Sequence, residues 1–76
     1  MYEELMDILQ ELHPEVDYDT TDNLIDGKIF DSFDIVTIIS EVNARLDITI
    51  SAEYITPANF NSSKALLALL EKLDEE

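Results

Sequence analysis

The 76-residue chain carries 18 Asp and Glu against 4 Lys and Arg, a net charge of −14, and no cysteine. That length holds one domain, residues 1–76, stiffened neither by a disulfide framework nor by a thiolate metal site, while a hydrophobic content of 46% is too high for a disordered acidic tail. A surface this negative repels phosphate backbones and anionic bilayers, which excludes nucleic acid and membrane as partners and favours proteins with basic patches.

In chain order, the acidic start Met1-Tyr2-Glu3-Glu4 is the reverse of a signal or transit peptide and implies a cytoplasmic protein. Tyr2, Leu5, Leu9 and Leu12 recur at helical spacing and predict a first helix over 2–12, ended by His13-Pro14. Residues 13–31 read as a long loop, with Val16, Leu24, Ile25 and Ile29 as anchors to the core. A second helix is expected over 32–46, with Arg45 in its last turn, where a cation is favoured. Ile48 and Ile50 then return to the core. Thr56-Pro57 starts a short helix over about 57–60. Ser62 caps a last helix through about Leu73, with Leu66, Leu69, Leu70 and Leu73 on its inner face and Leu67 at the edge. No apolar stretch approaches the ~20 residues of a membrane span. The expected fold class is therefore all-α: three main helices and one short one, with the longest loop between the first two.

The informative segment is Ile29-Phe30-Asp31-Ser32-Phe33-Asp34-Ile35-Val36. On a wheel stepping ~100° per residue, Ile35, Ile39, Val42 and Leu46 form one stripe, the expected core face. Asp34, Glu41 and Arg45 fall on a solvent face, and Phe33 and Val36 lie on a flank beside Ser32. Asp31 and Asp34 have the spacing of an acidic capping box, which leaves the Ser32 hydroxyl free at the positive end of the helix dipole, where a phosphate is favoured. The alternatives are that Ser32 is itself only a cap and that Phe33 folds back under the loop.

This pattern resembles the acyl and peptidyl carrier proteins, the phosphopantetheine-binding carriers, over nearly the whole chain. The length, the acidity, the helix order and the Asp31-Ser32-Phe33-Asp34 segment all agree. In that family the serine matching Ser32 carries 4′-phosphopantetheine through a phosphodiester, and the prosthetic thiol holds the cargo as a thioester. The resemblance implies a four-helix bundle of acyl carrier type whose second helix is read by partner enzymes. Those partners are a phosphopantetheinyl transferase and a cargo-loading ligase or acyltransferase. Phe30 replaces the small residue usual before Asp-Ser in fatty-acid carriers, and the second helix has few acids. Gly27-Lys28-Ile29-Phe30-Asp31-Ser32 looks closer to stand-alone amino-acyl and D-alanyl carriers. On this reading Ser32 is the attachment site and Asp31 caps the helix and positions the incoming coenzyme. Phe33, Val36 and Ser40 line the partner surface, Asp34 and Glu41 supply docking charge, and the chain is a monomeric carrier and not an enzyme.

Other chemistry is thinly supported. His13 is the only histidine and reads as a helix-end residue. Asp17-Tyr18-Asp19 begins like a calcium loop, but Asp22 stands where Gly is required and Lys28 where Glu is, so no metal site is expected. The rival to a carrier is an acidic helical module without a prosthetic group, which binds one basic partner through its charge.

Overall fold

A computed structural model describes Met1–Glu75. Four α-helices form among the described residues: α1 (Tyr2–Leu12), α2 (Ser32–Leu46), α3 (Pro57–Phe60) and α4 (Ser63–Asp74), with a 3-10 turn at Ala52–Tyr54. None is long and apolar enough to cross a membrane. The radius of gyration is 11.1 Å, close to the ~11 Å of a close-packed chain of this length.

The apolar spacing of α1 buries Leu5, Ile8 and Leu9 on one side, and this helix contacts both α2 and α4. It stops at His13, whose backbone N–H donates to the Leu9 carbonyl at 3.0 Å, because Pro14 disfavours a helical conformation for the residue before it. In α4, the Ser62 hydroxyl accepts from Ala65 N–H at 3.0 Å, the expected cap, and Leu66, Leu69 and Leu70 are buried. Leu73, expected inside, is only half-buried, like Leu67. Phe60, from α3, is buried in the core. Ile48 and Ile50 enter it after α2, as their spacing predicts.

The inner face of α2 is rotated from the expected one. Ile38 and Val42 are fully buried, while Ile35, Ile39 and Leu46 are half-buried. The true stripe lies closer to Asp34 by about half of one ~100° residue step. With Ile38 and Ile39 adjacent, a wheel cannot tell which faces inward. Packing against α1 makes that choice.

The 13–31 connection is ordered by turns and three anchors. Tyr18 is buried; its hydroxyl donates to the Leu9 carbonyl at 2.7 Å and to the His13 carbonyl at 3.2 Å. Burial in this apolar setting, with Glu15 and Asp34 nearby, pushes the phenol pKa up to about 12. The buried Ser63 hydroxyl, at the start of α4, donates to the Tyr18 carbonyl at 3.1 Å. Farther along, Asn61 Oδ1 accepts from the N–H groups of Ile25 and Asp26, both at 3.0 Å, and Leu24 N–H donates to the Asn61 carbonyl at 2.9 Å. The one glycine, Gly27, lies in this tight segment. A Cβ there would stand 2.7 Å from the Asn23 carbonyl oxygen, so close approach, and not a positive φ, requires glycine. The left-handed position falls on the next residue, Lys28, with φ 59°.

Two outcomes follow. Ile38→Ala should cost ~2–5 kcal/mol in denaturant unfolding, the usual range for a buried aliphatic truncation, and Ile39→Ala clearly less. Asn61→Ala should cost about 1–3 kcal/mol by leaving loop amides without their acceptor, with faster hydrogen exchange at Ile25 and Asp26.

Candidate functional site

The site is set by the residue before it. Phe30 is buried, its N–H donates to the Leu24 carbonyl at 2.8 Å, and its ring stacks on His13 with centroids 5.4 Å apart. Phe30 fills the space under the loop, so Phe33 does not fold back there. From this anchor the chain turns outward through Asp31, in extended conformation (φ −103°, ψ −177°), and enters α2 at Ser32.

Asp31 and Asp34 form the capping box that their spacing predicts. Asp31 Oδ1 accepts from Asp34 N–H at 2.9 Å, and Asp34 Oδ2 accepts from Asp31 N–H at 3.3 Å. The Ser32 hydroxyl is therefore not consumed by the cap, and Ser32 is exposed on the first turn. Because Asp31 takes only the Asp34 N–H, the amides of Ser32 and Phe33 have no acceptor within the helix, as at any helix start.

Phe33 is 82% exposed and Val36 63% exposed, and with Ser32 they line a shallow open depression. Two large apolar side chains thus stand exposed side by side, as the wheel predicts for this flank. Ser40, one turn beyond Val36, is exposed as well. The Thr37 hydroxyl is turned back onto its own helix, donating to the Phe33 carbonyl at 3.0 Å.

The two acids expected to face solvent are placed differently. Asp34 has only 20% of its side chain exposed and lies 2.8 Å from His13 Nε2. The rotation of α2 brings it against the end of α1. Glu41 Oε2 accepts from Arg45 Nε at 2.8 Å, and Arg45 also reaches across to Glu11 of α1 at 2.9 Å. Each acid thus already faces a base. Between residues 32 and 44, the exposed residues of α2 are Ser32, Phe33, Val36, Ser40, Asn43 and Ala44, none of them charged. The charged side chains of α2 are Asp34, Glu41 and Arg45, each paired, with Arg45 and Glu41 still partly exposed.

His13 is part of this site, which its position at a helix end did not reveal. Nε2 faces Asp34, Nδ1 lies 3.1 Å from Glu15 Oε1, and the ring rests on Phe30. The hydrogen bond to Asp34, and next that to Glu15, raise its pKa above the ordinary 6.5. With both ring nitrogens engaged by carboxylates, His13 does not serve Ser32 as a base. Among the described residues, no cluster of three or more His, Asp or Glu side chains could hold a metal ion.

No protein-family model, no curated protein and no solved structure matches the chain.

The division of labour between Asp31 and Ser32 is measurable. Asp31→Ala should lower unfolding stability by about 1 kcal/mol, the typical worth of an N-cap, whereas Ser32→Ala should cost well under that.

Proposed function

We propose that the chain is a carrier protein of acyl carrier type that holds an acyl or aminoacyl group as a thioester on 4′-phosphopantetheine joined to Ser32. The observation that carries this reading is the capped first turn of α2. Asp31 satisfies the helix, so an exposed Ser32 hydroxyl stands free beside two exposed apolar side chains. The residues present suit the group. A phosphodiester on Ser32 would lie at the N-terminus of a 15-residue helix, where dipole and first-turn amides favour an anion. The group supplies a thiol on a long arm; the chain supplies the anchor and the docking face.

On this reading the chain is a cytoplasmic monomer and not an enzyme. A phosphopantetheinyl transferase modifies Ser32, with Asp31 holding the helix start in place. A cargo-loading ligase or acyltransferase then charges the thiol, and tethering raises the cargo's effective concentration at each partner. Phe33, Val36 and Ser40 form the contact face. Asp34 and Glu41 border it, already facing His13 and Arg45. Docking therefore depends on apolar contact more than on charge, and the amino-acyl carriers fit this better than the strongly acidic fatty-acid carriers.

The decisive measurement is intact mass after co-expression with a broad-specificity phosphopantetheinyl transferase. The parent chain should gain one phosphopantetheinyl group and Ser32→Ala none. Gain by the alanine variant would move the site elsewhere. No gain by the parent would favour the acidic module that binds a basic partner. Val36→Ala should slow modification or loading several-fold with little loss of stability, as removal of a contact made only in the complex does.

A further inference from the structure

The imidazole of His13 links three parts of the chain that converge on the first turn of α2. Its backbone ends α1, its ring covers Phe30, and its Nε2 meets Asp34 Oδ2 at 2.8 Å. That same oxygen accepts the Asp31 N–H and completes the capping box. One carboxylate thus serves two functions: it finishes the helix start that carries Ser32, and it ties that start to the neighbouring helix. The joint is half-buried, with 25% of the His13 side chain and 20% of the Asp34 side chain exposed. Solvent screens it less than it would a pair on the open surface.

We propose that His13 is a positioning residue for Ser32: in its protonated form it clamps the first turn of α2 to the end of α1 through Asp34, and so fixes how the serine is presented.

The charged neighbours of the ring are Asp34 from α2 and Glu15 from the loop, with Asp31 joined through the cap. The Tyr18 hydroxyl, which donates to the His13 carbonyl, stays neutral throughout the physiological range. Only an imidazolium donates from both nitrogens. On losing a proton, the Nε2–H tautomer keeps a neutral bond to Asp34. It then turns a bare Nδ1 toward Glu15, which is two-thirds exposed and free to leave. The ionic part of the clamp disappears and the helix start loosens without unfolding. Because the folded-state pKa is raised, the clamp is complete below the ordinary 6.5 and is lost as pH rises through the folded value.

This inference rests on Ser32 being the attachment site, so the test reads the clamp separately from the modification. In the unmodified protein, NMR titration between about pH 5.5 and 9 should show the Ser32 amide shift following the His13 ring midpoint. Asp34→Asn, which keeps hydrogen-bonding groups but removes the charge, should lower that midpoint. His13→Gln, a neutral donor, should abolish the Ser32 titration. In modification assays, His13→Ala should be slowed by roughly tenfold, the scale of a slightly misplaced reacting group. His13→Gln, which keeps only a neutral bond, should stay near the slower rate of the deprotonated parent with a flat carrier-dependent pH profile, whereas the parent slows as His13 deprotonates. A Ser32 amide indifferent to His13, or Gln and Ala variants that both keep the parent pH profile, would overturn the clamp. If the amide follows His13 but no chain accepts the prosthetic group, the clamp stands and the attachment reading fails.

Discussion

The ring of Phe30 lies buried between His13 and Tyr18, and the geometry around Ser32 depends on that placement. Its burial draws the end of a long acidic loop into the core, and its N–H bond to Leu24 fixes the backbone angle at which the chain leaves. One extended residue later the chain is helical. Hence two phenylalanines three positions apart have opposite fates: Phe30 is 3% exposed and Phe33 82%.

Positive charge is scarce, and two of the basic side chains are used at one joint. Arg45 of α2 faces Glu41 on its own helix and Glu11 on α1, while His13 at the end of α1 faces Asp34 on α2. Exposed ion pairs contribute little to stability. The apolar contact of Ile38 and Val42 with α1 and the rest of the core holds the helices together. What the bases decide is where the acids of α2 point. By pairing Asp34 and Glu41, they leave the stretch of α2 around Phe33, Val36 and Ser40 without an unpaired charge, in a chain of net charge −14.

The connection between α1 and α2 shows how an acidic segment stays ordered. Its carboxylates are largely in solvent, and its order comes from a few uncharged groups: the Tyr18 hydroxyl, the Asn61 amide, the Ser63 hydroxyl and the Phe30 ring. The tyrosine and the asparagine supply acceptors and donors to backbone that would otherwise be buried without partners. Gly27 permits the tight approach to Asn23 that the turn requires.

The helices were legible in the sequence because their signals are local. The i, i+3, i+4 spacing of Leu5, Ile8 and Leu9, the Asp31–Asp34 cap, Pro57 at a first helical position and Ser62 before the last helix each act within one or two turns. The exposure of Ser32, Phe33 and Val36 was legible for the same reason. Contacts over long separations were not. Asn61 meets residues 35 and 36 positions away, Ser63 meets Tyr18 across 45, and His13 meets Asp34 across 21. A single polar residue gives no periodic sign of such a partner. The choice of Ile38 over Ile39 as the buried residue was equally closed to the sequence, since both are isoleucine and differ only in which one packing against α1 turns inward. Local patterning determined that Ser32 begins a capped helix on an exposed flank; only tertiary packing decided that Asp34 belongs to His13, because that bond exists only once α1 and α2 lie side by side.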